Sequence, residues 1–161
     1  MSAKLLVTTL LFIFISGTLW AQDGKVNFSG EWSLNTEQST LSENGFQPAT
    51  LRISQQGNTL SVERVYSREY QDDFVINEDL TLDGKENKSD TQFSSRVSTA
   101  KWDGSTLIIA SKLSFERNGN EFTMNTEEAW TLKAKDVLSI AASSHSSRGD
   151  NEATLVYQKE E

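Results

Sequence analysis

The sequence predicts an all-β domain, an antiparallel up-and-down meander of about eight to ten strands that closes, or nearly closes, into a barrel. Two observations carry that prediction. Apolar and polar residues alternate with a period of two along most of the chain, which marks half-buried strands. Short turn signals separate these runs at regular intervals, and no segment holds a helical period for longer than a turn.

The first strand is Val26-Asn27-Phe28-Ser29-Gly30-Glu31-Trp32-Ser33-Leu34, with Val26, Phe28, Gly30, Trp32 and Leu34 on the core face. Residues 35 to 48 hold the only Pro and no usable period, and they read as a long loop with one helical turn. Leu51 and Ile53 mark the second strand. Leu60, Val62, Arg64 and Tyr66 mark the third, after a two-residue turn at Gly57-Asn58. The fourth carries Phe74, Ile76, Glu78, Leu80 and Leu82 and ends at Asp83-Gly84. A polar strand follows, then one from about Phe93 to Trp102 that stops at Asp103-Gly104.

The next hairpin is the best defined. Leu107, Ile109, Ser111, Leu113 and Phe115 share a face before Asn118-Gly119, and Phe122, Met124, Thr126, Glu128, Trp130 and Leu132 share one after it. If Asn118 and Gly119 are the central residues of a type I′ turn, Phe115 faces Phe122, Leu113 faces Met124 and Leu107 faces Trp130. Strands at Val137 to Ala142 and Ala153 to Tyr157 close the meander, with Ser143 to Ser147 read as a polar loop. Trp32, Phe28, Leu107, Ile109, Trp130 and Phe122 are the expected core.

Residues 1 to 21 read as a cleaved signal peptide: Lys4 as the positive end, an apolar run from Leu5 to Ile15, and Ala21 before the cut at Gln22. The run is short of the ~20 residues a spanning helix needs, so no stable membrane insertion is expected after cleavage. The remaining 140 residues suit one domain, 22 to 161, exported to the periplasm or secreted. The chain has no Cys, so stability must come from the core rather than from disulfides.

The chain carries −8 at neutral pH, and without Lys4, the sole charge in the first 21 residues, the domain carries −9. Its Lys and Arg form no run, which argues against nucleic acid and anionic lipid as partners. No Gly-x-Ser-x-Gly is present, and the only His, His145, lies in the polar stretch 143 to 147 with no orienting carboxylate in view. One His and no Cys argue against a structural zinc site. Asp72-Asp73 and Glu127-Glu128 are sequence neighbours that point to opposite faces of a strand. No enzyme activity and no cofactor are expected.

The informative polar residues are charges on core parity: Arg64, Glu78, Arg96 and Glu128, with Tyr66 beside Arg64. An ionised side chain inside a barrel costs several kcal/mol unless it is paired. These groups therefore pair with one another, sit at a barrel mouth, or line a wet pocket that takes the polar head of a small apolar or amphipathic ligand. Under the first alternative the domain is a non-catalytic scaffold or interaction barrel with a packed core.

Gly30-Glu31-Trp32 on the first strand, the meander and the export signal together resemble lipocalin-like (calycin-type) barrels. The pattern Phe28-Ser29-Gly30-Glu31-Trp32-x-Leu34, Leu82-Asp83-Gly84-Lys85-Glu86, Trp102-Asp103-Gly104 and Glu128-Ala129-Trp130-x-Leu132 resembles small exported bacterial proteins of that kind. The chain lacks the Thr-Asp-Tyr motif of true lipocalins. The domain is expected to be a monomer, and the resemblance implies a C-terminal Arg packed on the first-strand Trp, a place for which this chain offers only Lys159 or Arg148. It also implies an Arg/Tyr arrangement of the fatty-acid-binding type, here Arg64, Arg96 and Tyr66, facing an acidic head group.

N-terminal sequencing of the exported protein is expected to begin at Gln22. Residues 1 to 21 found intact in a membrane fraction would make that segment an anchor instead.

Overall fold

The computed structural model describes residues 26–42, 47–90, 94–117 and 119–161. The expected signal segment with its cut at Gln22, and Phe93 and Asn118, lie outside these. Ten strands follow in order: β1 (Gly30–Leu34), β2 (Thr50–Gln56), β3 (Thr59–Tyr66), β4 (Phe74–Thr81), β5 (Asp83–Asp90), β6 (Ser94–Asp103), β7 (Thr106–Arg117), β8 (Asn120–Ala134), β9 (Val137–Ser146) and β10 (Gly149–Lys159). They form one antiparallel sheet in the order β4-β3-β2-β1-β10-β9-β8-β7-β6-β5. Every neighbour in sequence is a neighbour in space except β4 and β5, and β1 pairs with β10, Trp32 opposite Lys159. The result is the expected meander, rolled into a nearly closed barrel whose seam lies between β4 and β5.

The turn rule predicts the register correctly. Phe115 faces Phe122, Leu113 faces Met124 and Leu107 faces Trp130, and Gly119 has the positive φ of 74° that a type I′ turn requires. Two-residue connections also join Gln56 to Thr59, Asp103 to Thr106 and Ser146 to Gly149. The last corrects a sequence expectation. Ser143 to Ser146 continue β9 rather than forming a loop, because an unbroken ladder with β10 carries the pairing past the apolar core.

One end of the barrel is packed solid. Phe28, Trp32, Leu60, Leu107, Trp130, Leu138 and Tyr157 are fully buried, and Ile109 nearly so. Phe28 stacks on Trp102 at 5.8 Å and meets Trp130 edge-on at 5.7 Å. Trp32 Nε1 donates to the Phe28 carbonyl at 2.9 Å, and the buried Tyr157 hydroxyl donates to the Pro48 carbonyl at 3.0 Å. Burial pushes the Tyr157 phenol well above its ordinary value.

Lys159 supplies the C-terminal cation. Its Nζ lies 5.2 Å from the centre of the Trp32 ring and donates to the Ser29 carbonyl at 2.7 Å. This packing explains Gly30: its φ is +144°, and a Cβ there would stand 2.4 Å from Lys159 Cε. Arg148 sits at the opposite end, 5.0 Å from the Phe122 ring centre.

The other end is open, which corrects the expectation for Phe122. It is half-buried, stacked on Phe115 at 5.4 Å, because β7 and β8 extend beyond the packed layer. Phe74, on core parity in β4, is 42% exposed.

Trp32→Ala is expected to destabilise the domain by about 3–5 kcal/mol, since it empties one of the two fully buried Trp sites of the packed end. Denaturant melts measure this, and a loss below about 1 kcal/mol would contradict the core assignment.

Candidate functional site

Arg64, Glu78, Arg96 and Glu128 reach the interior from β3, β4, β6 and β8, and they meet there. Arg64 and Glu78 are 3% and 4% exposed. Arg64 Nη2 donates to Glu128 Oε2 at 2.8 Å and stands 3.9 Å from Glu78 Oε2. Arg96 Nε is 3.2 Å from Glu78 Oε1. Trp130 Nε1 donates to Glu128 Oε2 at 2.8 Å, and the Arg64 guanidinium lies 5.6 Å from the Trp130 ring centre. Tyr66, two residues along β3 from Arg64, is half-buried against Phe74, with ring centres 5.8 Å apart.

Two residues that sequence reasoning passed over complete the cluster. Ser98 and Ser111 are buried on core parity and lie directly opposite each other on β6 and β7. The Ser98 hydroxyl donates to Glu78 Oε1, its oxygen lies 2.9 Å from that of Ser111, and Arg96 Nη2 donates to Ser111 at 3.3 Å. Their signal in the sequence was parity alone: a serine in the middle of an apolar face.

The electrostatics follow from the geometry. Burial works against the Arg64 charge, but the nearby Glu128 and Glu78 carboxylates outweigh it, and its pKa ends above the ordinary value. Burial likewise opposes the Glu128 carboxylate. The adjacent Arg64 and the hydrogen bonds from Arg64 and Trp130 prevail, and its pKa falls below 4.5. Burial raises the Tyr66 phenol.

The cluster also spans the seam. Glu78 belongs to β4 and its partners Ser98 and Arg96 to β6, so side chains tie the barrel where backbone pairing does not. At the packed end the seam is held by the Thr81 N–H donating to Asn87 Oδ1 at 3.1 Å. Asp83 anchors the start of β5: held by Lys85 and Thr81, its carboxyl is lowered to about 2.

Above this ionic floor, the inward side chains toward the open end are Tyr66, Ile76, Leu113, Phe115, Phe122 and Met124, all half-buried. They form a mostly apolar wall, half of it aromatic, that water reaches. A hollow of about 370 Å³ on the outer face holds Arg52, but Glu31 and Glu63 already bridge that cation.

Among solved structures, the chain is similar to a secretory abundant heat soluble (SAHS) protein from Ramazzottius varieornatus. The identity is 12% over 83% of this chain and 95% of that one, with a TM-score of 0.55. The likeness is one of fold, an antiparallel β-barrel. Two further similarities are to zebrafish ileal bile acid-binding protein complexed with cholic acid (14% identity, 83% and 98% coverage, TM-score 0.49) and to secretory abundant heat soluble protein 4 of R. varieornatus (11%, 83% and 94%, 0.49). No family model matches the chain, and no curated protein matches it significantly.

One polar residue of the barrel departs from its sequence reading. His145 lies on β9, not in a loop, and its Nδ1 is hydrogen-bonded to Asp150 across the hairpin. Both side chains are exposed. Among the described residues, no group of three or more His, Asp or Glu side chains is placed to hold a metal ion.

Arg64→Ala leaves Glu128 and Glu78 buried with less compensation and is expected to cost about 3–5 kcal/mol. Because the folded Glu128 pKa lies below 4.5, its contribution is complete above that pH and is lost as pH falls through the folded value. Denaturant melts between about pH 7 and pH 3 should show this loss in the native chain and a flatter acid limb in Arg64→Ala.

Proposed function

We propose that the domain binds a small apolar or amphipathic molecule in the open half of its barrel, with the apolar body against the wall and the polar end on the floor. The observation that carries this reading is the half-exposed ring of Tyr66, Ile76, Leu113, Phe115, Phe122 and Met124 standing on buried charges. Pockets of this make-up, mostly apolar with a few convergent polar groups, suit small ligands. Arg64, Tyr66, Glu78, Arg96 and Glu128 form the polar end of the proposed site. The protein acts as a monomeric binder, neither enzyme nor nucleic-acid or membrane protein, and works after export to the periplasm or outside the cell. Lys4, the apolar run from Leu5 to Ile15 and the small residue Ala21 support the export.

The second reading is a packed, ligand-free scaffold. The solid end around Trp32, Phe28 and Trp130 favours it for that half of the barrel.

Titration with N-phenyl-1-naphthylamine, a neutral fluorophore, separates the two. The binding reading expects saturable one-to-one binding with Kd in the micromolar range, weakened about tenfold or more by Leu113→Glu on the wall. No binding at tens of micromolar, roughly, would favour the scaffold.

A further inference from the structure

The floor of the proposed site is balanced in charge. Arg64 and Arg96 supply two positive charges, and Glu78 and Glu128 supply two negative ones, with all four groups within one connected set of contacts. An acidic head group placed on this floor would bring a negative charge with no free cation to meet it. An ammonium would meet the reverse problem beside Arg64. The fatty-acid-binding type of arrangement therefore differs here in a decisive way: both arginines are already neutralised by glutamates.

The hydrogen bonds are less complete than the charges. Glu128 Oε2 accepts from Arg64 and Trp130, and Glu78 Oε1 accepts from Ser98. Among the described residues, Glu78 Oε2, Arg64 Nε and Arg96 Nε, all buried, have no hydrogen-bond partner, and neither does the buried Trp102 Nε1. Arg64 Nη2 and Glu78 Oε2 face each other at 3.9 Å, too far for a direct hydrogen bond and a span that an intervening oxygen bridges. Arg64 keeps donor capacity at Nε and at the second hydrogen of Nη2, whose first goes to Glu128, while Glu78 Oε2 wants a donor. A carboxylate only accepts, and an ammonium only donates. A hydroxyl does both.

We infer that the polar end of the ligand is a neutral hydroxyl, that of an amphipathic alcohol, which accepts from the Arg64 guanidinium and donates to Glu78 Oε2. This rests on the interior binding proposed above and names the chemical class that the site takes. Selectivity against acids comes from Glu78 and Glu128. Selectivity against ethers and alkanes comes from the otherwise unmet donor and acceptor, since a site built to hydrogen-bond a hydroxyl rejects an analogue lacking it.

The experiment is displacement of N-phenyl-1-naphthylamine by 1-decanol, decyl methyl ether, decanoate and decylamine at about pH 7, where both charged heads are ionised. Decanol is expected to displace at about tenfold lower concentration than the ether, which is equally neutral but cannot donate to Glu78. Decanoate and decylamine should be weaker still. Glu78→Gln leaves the floor with one excess positive charge and should shift the decanoate-to-decanol ratio toward the acid by about tenfold or more. Equal displacement by decanol and the ether, or decanoate matching decanol in the native chain, would overturn the inference. The ether comparison needs no variant, so it decides even if Glu78→Gln does not fold. Failure of the fluorophore to bind at all would sink the binding reading itself, a separate outcome.

Discussion

Four charges inside a β-barrel, two of them nearly inaccessible to water, impose a condition on everything around them. Taking an ion out of water costs several kcal/mol, and the interior returns that only when each charge has close partners. Arg64 meets the condition through Glu128 and Glu78, and Arg96 meets it through Glu78 and Ser111. The partners come from β3, β4, β6, β7 and β8, so the network can exist only if the sheet has rolled far enough to bring these strands face to face. Closure and charge compensation are one constraint. The seam makes this concrete: β4 and β5 share no backbone ladder, and Glu78 reaches past β5 to Ser98 and Arg96 on β6.

The same layer divides the barrel in two. Below it lie Phe28, Trp32, Leu107 and Trp130, packed without exposure and braced by Lys159 across the Trp32 ring. Above it the strands continue, but their inward side chains are only half-covered. Stability and the proposed binding therefore fall in different halves of one fold: the packed end supplies the core a disulfide-free domain of this size needs, and the open end keeps apolar side chains in contact with water.

The parts of this fold that were legible in the sequence are those set by local rules. Alternation marked the strands, and the turn at Asn118-Gly119 was enough to pair Leu107 with Trp130, the last of eleven paired positions along β7 and β8. Core parity singled out Arg64, Glu78, Arg96 and Glu128, because charge on an apolar face is conspicuous. What escaped was set by the closed barrel rather than by neighbours in sequence. Ser98 and Ser111 are too short and too common on strands to announce a buried network. The end of β9 and the start of β10 looked like loop because strands that outrun the core lose their apolar face. Phe122 and Phe74 read as core for the converse reason: parity says which way a side chain points and nothing of how far along the barrel it sits. The seam has no local signature at all, since Leu80, Leu82 and Asp83 look like any other hairpin.

The interior charges hold the barrel together across its seam rather than merely coexisting there. A double-mutant cycle between Glu78 on β4 and Arg96 on β6, using Glu78→Gln and Arg96→Gln with denaturant melts at neutral pH, tests it most directly. The expected coupling is favourable and larger than about 1 kcal/mol, as for contacting groups in one network. Additive effects, with coupling indistinguishable from zero, would contradict the account and leave the seam without the tie described.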